Sequence, residues 1–141
     1  MIDFLPNSLS PIKEDEARQI SPLVLAYIGD GVQTLYVRTK LVLTTTLSTN
    51  ELHKLTSDEV KAVSQAKHVK RLLPIFTEDE SAVFKRARNS NVNTPAKNAS
   101  IADYKKASGY EAVIGYLYLT GNHERLNYLL KYASDIMEEE K

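Results

Sequence analysis

Apolar residues recur at intervals of three and four along most of the chain, which is the spacing of one face of an α-helix. From Leu23 to about Leu43 they cover much of the helix circumference, and Ser21-Pro22 just before has the form of a helix start. This pattern predicts a long, largely buried, central helix. Three consecutive threonines at 44–46 interrupt the pattern, and we expect the helix to end there.

Two later helix starts are marked by a hydroxyl residue followed three positions later by an acid. Ser48 with Glu51 and Thr77 with Glu80 both fit a capping box, in which the two side chains satisfy each other's backbone N–H groups. Pro74 lies between the two predicted helices, the first of which carries apolar residues through position 66. We therefore predict one helix on each side of Pro74.

The last third of the chain predicts two more helices after a loop. Residues 89–99 contain four asparagines and one proline without apolar spacing, so we expect an exposed loop. Ser100 with Asp103 predicts a helix that ends near Gly121, followed by a last helix from Asn122. Since no pair of strands is evident, the fold class predicted is an all-α helical bundle.

Composition bounds the class of protein. The chain has 141 residues, of which 43% are hydrophobic and 26% charged, so residues 1–141 are expected to form one folded domain. It contains no cysteine, which excludes disulfides, thiol nucleophiles and cysteine-ligated metals. No stretch approaches the roughly twenty apolar residues that span a bilayer. We therefore expect a cytoplasmic protein with no membrane partner.

Charge is segregated although it sums to zero. The chain has 18 lysines and arginines and 18 acids, but residues 85–106 contain six basic residues and only one acid. A local excess of this kind predicts a surface that binds phosphate groups. The alternative is that these side chains only solvate helix faces, which is the usual role of a single surface lysine.

Two acids lie in unusually apolar surroundings. Asp30 stands between Gly29 and Gly31 inside the longest predicted helix, and Glu111 lies in another apolar run with Gly115 four positions later. Each glycine costs about 1 kcal/mol relative to alanine in a helix interior, and a buried carboxylate without a partner costs several more. Close packing or a cation must therefore offset these costs.

Two carboxylates brought together in a bundle would repel each other unless a divalent cation lies between them. Oxygen ligands favour Mg²⁺ or Mn²⁺ over zinc. The alternative from spacing alone is structural: Asp30 or Glu111 would form a buried ion pair with a base such as Arg38 or Lys54. The residues by themselves leave both interpretations open.

Several separated motifs resemble the ribonuclease III family. Residues 25–30, Leu-Ala-Tyr-Ile-Gly-Asp, resemble its signature helix, and residues 110–115, Tyr-Glu-Ala-Val-Ile-Gly, resemble its second acidic motif. Residues 52–54, 63–66, 85–89 and 94–98 narrow the resemblance to the Mini branch of that family, whose members resemble the catalytic domain alone. The resemblance covers about residues 20–135.

This resemblance implies an all-α, homodimeric endoribonuclease that cleaves double-stranded RNA with Mg²⁺, for which Mn²⁺ can substitute. Asp30 and Glu111 match the catalytic, metal-binding acids of the family. Full-length members have further acids at two positions where this chain has Ala26 and Ser108, so Ser108 is expected to be at most a secondary ligand through water. The expected products are a 5′-phosphate and a 3′-hydroxyl.

The resemblance also implies the substrate, a precursor of 23S ribosomal RNA, and a ribosomal protein as a further candidate partner. Phosphate and 2′-hydroxyl contacts across a shallow minor groove suit basic and amide side chains. The expected RNA-binding residues are Lys85, Arg86, Arg88, Lys97 and Asn98, followed by His53, Lys54 and Lys67. Two alternatives stay open: a non-catalytic RNA-binding or ribosome-assembly protein, and a protein-interaction module whose two acids form buried ion pairs.

Overall fold

A computed structural model of the protein describes residues 11–90 and 100–139, with side chains described up to residue 133. Within these ranges the chain forms seven α-helices and no strand, which confirms the all-α fold class. None of the helices described is long and apolar enough to cross a membrane. The helices are α1 (Glu14–Gln19), α2 (Pro22–Thr44), α3 (Thr49–Val60), α4 (Ala62–Leu72), α5 (Glu78–Arg88), α6 (Ile101–Leu119) and α7 (His123–Glu139).

The predicted helix starts are confirmed where the sequence has capping signals. Both capping boxes form, with the Ser48 and Thr77 side chains accepting the backbone N–H groups of Glu51 and Glu80. Glu80 is also held by Arg125 of α7, whose guanidinium donates 2.8 Å hydrogen bonds to both carboxylate oxygens. The start of α5 is thereby fixed to α7.

One predicted helix is divided in two. The segment after Ser48 breaks at Lys61, whose backbone is extended (φ −68°, ψ 157°), so that α3 ends at Val60 and α4 begins at Ala62. Lys61 makes no side-chain cap for α4, and neither proline nor glycine marks the break. Because the division turns the chain, α4 can pack on α6 and α7 while α3 packs beside α2.

The centre of the bundle is α6 rather than α2. Helices α1, α2, α4, α5 and α7 all pack against α6, and its residues from Ala107 to Tyr118 are buried except Glu111, which is half-buried. Tyr110, Tyr116 and Tyr118 belong to this core. Glu111 is therefore the one acid on the central helix segment.

The prediction that α2 is largely buried is wrong. Only Leu25, Ala26, Gly29, Gln33 and Val37 of its 23 residues are buried, all on the side that faces the bundle. The opposite side is also apolar but exposed, and Tyr27 is 81% exposed. The periodicity of the sequence shows that both sides are apolar, but it does not show which of them the same chain covers.

Candidate active site

The two acids meet where α2 crosses α6. A Cβ atom on Gly29 would overlap the backbone carbonyl oxygen of Glu111, and one on Gly115 would overlap that of Leu25. The two helix backbones are therefore in direct contact at this crossing, which only glycine permits. This packing explains Gly29 and Gly115, whereas a Cβ on Gly31 would meet nothing within 4 Å.

Asp30 and Glu111 come close enough across this crossing for Asp30 to raise the pKa of Glu111, through its charge and through a hydrogen bond between the two carboxyl groups. Asp30 is exposed, so the prediction that it is a buried acid is wrong, and Glu111 is half-buried. Burial and the neighbouring Asp30 raise the pKa of Glu111 to about 8, while a hydrogen bond from Gln65 acts in the opposite direction. The site therefore combines Asp30, which faces solvent, with Glu111, whose ionised form is disfavoured by burial.

Two glutamines that sequence analysis did not include in the site lie beside it. Gln65 of α4 and Gln33 of α2 are each 2% exposed, and the Gln65 side-chain amide donates to the side-chain oxygen of Gln33. The same amide nitrogen lies 3.4 Å from Glu111 Oε2. The only sequence signal was the position of Gln65 within the 63–66 motif, since a neutral amide in a helix does not reveal its partner.

The arrangement fits a divalent cation held mainly by water. In residues 11–90 and 100–133, three or more acids or histidines do not come together as a metal site, so Asp30 and Glu111 form a set of two. Mg²⁺ usually keeps several waters and binds through one or two carboxylates. A cation between the two carboxyl groups would also reverse the cost of ionising Glu111 beside Asp30.

Ala26 and Ser108, at the positions where full-length members of the resembled family have further acids, lie on the inner sides of α2 and α6. Both are buried, with Ser108 6% exposed and one helical turn before Glu111. Neither can supply a carboxylate.

The basic residues of α5 lie on another side of α6. Phe84 of α5 packs on Gly109, and Gly109 is about 200° around the helix from Glu111 at 100° per residue. Lys85 is exposed, and the Arg88 guanidinium lies 5.7 Å from the centre of the Phe84 ring. Arg86 donates a 2.6 Å hydrogen bond to the backbone carbonyl of Arg18, which ties α5 to α1.

The remaining RNA-binding candidates are spread over three segments. His53 and Lys54 of α3 and Lys67 of α4 are exposed, while Lys97 and Asn98 lie outside the described residues. His53 lines an open groove of about 140 Å³ between α2 and α3, together with Arg38. Arg38 is eight residues beyond Asp30 on the same helix, a rise of about 12 Å. Arg38 is exposed and lines this groove, which makes it a further candidate that sequence analysis did not assign to RNA.

The helical bundle with its pair of acids at the α2–α6 crossing matches a known family of proteins. Residues 23–122 match the ribonuclease III domain model, a range that includes both acids and the two crossing glycines. The chain belongs to the ribonuclease III family of endoribonucleases.

Curated relatives narrow the group within that family. The chain is 43% identical to Mini-ribonuclease 3 of Thermoanaerobacter sp. (strain X514), covering 99% of this chain and 97% of the relative. It is 40% identical to Mini-ribonuclease 3 of Staphylococcus aureus (strain NCTC 8325 / PS 47), covering 90% of this chain and 96% of the relative. These matches confirm the resemblance to the Mini branch.

A solved structure shares the fold. A protein of Fusobacterium nucleatum, determined by X-ray crystallography, superposes with a TM-score of 0.78 at 27% sequence identity. The superposition covers 92% of this chain and all of the crystallised chain.

Proposed function

We propose that this protein is a Mg²⁺-dependent endoribonuclease that cleaves double-stranded RNA, with Asp30 and Glu111 as its catalytic pair. The observation that carries the proposal is the contact between the two carboxyl groups. The protein has 18 lysines and arginines, yet Asp30 forms a hydrogen bond with another acid rather than with a base. An added cation would stabilise this arrangement. This arrangement supports the proposal over the alternative in which the two acids form ion pairs with internal bases.

Asp30 and Glu111 would hold the Mg²⁺ ion, with Mn²⁺ as a substitute. When bound, the ion supplies an activated water and offsets negative charge on the phosphate in the transition state. Hydrolysis would leave a 5′-phosphate and a 3′-hydroxyl. No side-chain nucleophile is required, which agrees with the absence of cysteine from the sequence.

The two acids have different tasks because their surroundings differ. The Asp30 carboxylate is exposed and therefore accessible to a phosphate group from solvent. Glu111, whose pKa is about 8, retains a proton at neutral pH until a cation takes its place. Ser108, one turn before Glu111 and 6% exposed, is at most a support through water.

RNA binding would rely on this same domain. Lys85 and Arg88 at the end of α5, with Lys97 and Asn98 of the following segment, are the first candidates for phosphate contacts, and the basic end of α5 supports this choice. His53 and Lys54 of α3 and Lys67 of α4 are the second. Arg86 has a partner in α1, so its contribution to RNA binding is expected to be the smallest of the α5 group.

A homodimer would cover the exposed apolar side of α2. Monomeric soluble proteins rarely leave a large continuous apolar patch in water. The exposed large apolar residues of α2, which we call the outer α2 face, are Leu23, Val24, Tyr27, Leu35, Val42 and Leu43. A second copy of the chain supplies an apolar face of the same extent, as a two-fold interface requires.

The proposed substrate is a helical stem in a precursor of 23S ribosomal RNA, with a ribosomal protein as a candidate partner, and the cytoplasm as the place of action. The similarity to Mini-ribonuclease 3 over 99% of the chain supports this assignment. A non-catalytic RNA-binding role is the second candidate. It is favoured by one observation: this chain has the buried Ala26 and Ser108 at positions where full-length family members have further acids.

The test is cleavage of end-labelled RNA by the wild-type protein in Mg²⁺, in Mn²⁺ and in EDTA. Double-stranded RNA, single-stranded RNA and double-stranded DNA of the same sequence serve as substrates, beside a 23S precursor stem. We expect cutting of double-stranded RNA in either metal, with 5′-phosphate ends. Binding of these RNAs without cutting in any metal would favour the non-catalytic role.

A further inference from the structure

We infer that Gln65 is a positioning residue, itself oriented by Gln33, that fixes the Glu111 carboxylate for a divalent cation. The inference deepens the proposed function and rests on it. Three helices meet at this point, since Gln33 belongs to α2, Gln65 to α4 and Glu111 to α6. The family motif around Gln65 thereby acquires a physical role.

The geometry uses both donors of a single amide group. The Gln65 side-chain nitrogen donates to the Gln33 side-chain oxygen and lies 3.4 Å from Glu111 Oε2. A primary amide has two N–H groups, so these two acceptors account for both. Because Gln33 presents an oxygen, Gln65 must turn its nitrogen, rather than its own oxygen, toward Glu111.

Burial makes this orientation persistent. Gln33 and Gln65 are each 2% exposed, so water cannot readily replace the Gln33 acceptor if the Gln65 amide turns over. A buried polar group that loses its partner pays a desolvation cost, which disfavours the turned state. Gln33 and Asp30 are also separated by only one helical turn, so α2 fixes this amide and the exposed acid in one rigid frame.

A neutral donor suits this position better than a charged one. A lysine or arginine at 65 would compete with a metal ion for Glu111, and an acid would add repulsion. The Gln65 amide nitrogen lies beside Oε2 of Glu111, so the Glu111 carboxylate would keep a further oxygen available to hold a cation. Groups of this kind, which hydrogen-bond to metal ligands, change metal affinity or activity by about 10–100-fold when they are removed.

The test measures metal binding separately from cleavage. Mn²⁺ binding to the RNA-free protein is followed by electron paramagnetic resonance, and the Mg²⁺ concentration for half-maximal cleavage is measured on double-stranded RNA. Gln65→Met keeps the length of the side chain but removes both donors. We expect it to weaken Mn²⁺ binding and raise the half-maximal Mg²⁺ concentration at least about 10-fold, with the KM for RNA unchanged.

Two further variants separate positioning from folding. Gln33→Met leaves the Gln65 donor in place but frees its orientation, so a smaller loss in the same two quantities is expected, and this variant decides the question if Gln65→Met does not fold. In the double variant the losses should not add, because Gln33 acts only through Gln65. Leu129→Val, which removes buried apolar volume in α7 outside this network, is the control for a loss of stability alone.

The inference and the proposed function fail in distinguishable ways. A wild-type protein that neither binds Mn²⁺ nor cleaves RNA would overturn the proposed function and the inference together. A wild-type protein that does both, with folded Gln65→Met and Gln33→Met matching it in metal dependence, would overturn the positioning role alone. Losses in metal binding that only follow a lower folded fraction, as in Leu129→Val, would also overturn the positioning role.

Discussion

Asp30 and Glu111 are 81 positions apart in the sequence, yet their carboxyl groups are hydrogen-bonded across the point where α2 and α6 touch. The contact depends on Gly29 and Gly115, since a side chain on either would overlap the backbone of the other helix. Asp30 directly follows Gly29, and Glu111 lies one helical turn before Gly115. The glycines that set the packing are therefore close in sequence to the two acids proposed as the catalytic pair.

Gly29→Ala and Gly31→Ala should have opposite effects on stability. In Gly29→Ala the added methyl group would meet the backbone of Glu111, which cannot yield, and overpacking of this kind costs about 3 kcal/mol. Better helix propensity returns about 1 kcal/mol, so a net loss of about 2 kcal/mol is expected. At Gly31 the space is open, and a gain of about 0.5–1 kcal/mol should remain.

Urea unfolding followed by circular dichroism measures both free energies of unfolding. Equal stability of the two variants would show that α2 and α6 do not approach as closely as the crossing requires.

The raised pKa of Glu111 predicts a pH-dependent stability without metal. The folded protein holds a proton on Glu111 up to about pH 8, whereas the unfolded chain releases it near the ordinary value of 4.5. The contribution of the Glu111 proton to the free energy of unfolding is therefore fully present below about pH 4.5. This contribution decreases as pH rises from there to about 8. Glu111→Gln, which cannot ionise, should match wild type at about pH 4 and exceed its Tm at pH 8.

The Tm difference between the two proteins in EDTA is the quantity to follow. It cancels the contribution of His68, a buried histidine whose pKa burial lowers and which both proteins share. Saturating Mg²⁺ should raise the Tm of wild type at pH 8 and leave Glu111→Gln nearly unchanged. A Tm difference that does not vary with pH would contradict the raised pKa.

Tyr27→Asp should dissociate the proposed dimer. A charge buried twice in a two-fold interface, where Tyr27 is 81% exposed on the single chain, has no partner to compensate it. Sedimentation velocity should show a dimer for wild type and a monomer for the variant. Tyr128→Asp, at a half-exposed tyrosine of α7, is the control that should remain dimeric. A monomeric wild type would contradict the proposal that a second copy of the chain covers the outer α2 face.

Removing basic charge from the end of α5 should weaken RNA binding in a salt-dependent way. Lys85→Ala and Arg88→Ala are expected to lower affinity, each reducing the slope of log K against log salt by about one. Lys131→Ala, an exposed lysine of α7, should leave both quantities unchanged. Filter binding at several salt concentrations in EDTA measures them, and unchanged slopes for both α5 variants would remove α5 from the RNA interface.

Local signals in the sequence predicted much of the helical framework. Ser48-Glu51 and Thr77-Glu80 mark helix starts because the capping interaction is made by neighbours in the chain. The break at Lys61 had no such mark, since the division depends on how α4 packs against α6. Long-range packing therefore decides the part of the framework that local rules missed.

The candidate site was predictable only in part. The acids stood out because Asp30 and Glu111 lie in apolar runs beside glycines, and the family resemblance joined them. The exposure of Asp30 was missed because the outer α2 face has the same apolar composition as a core. Gln33 and Gln65 were missed because the role of a neutral amide depends entirely on the groups that surround it.

The central claim is that Asp30 and Glu111 form the catalytic centre of a metal-dependent endoribonuclease. The most direct measurement is single-turnover cleavage of labelled double-stranded RNA by wild type and Glu111→Gln in Mg²⁺, with RNA affinity determined in parallel. The account predicts that Glu111→Gln binds RNA as tightly as wild type but cleaves it at least about 1,000-fold more slowly, a loss of about 4 kcal/mol in transition-state stabilisation. Cleavage by Glu111→Gln at the wild-type rate would contradict it.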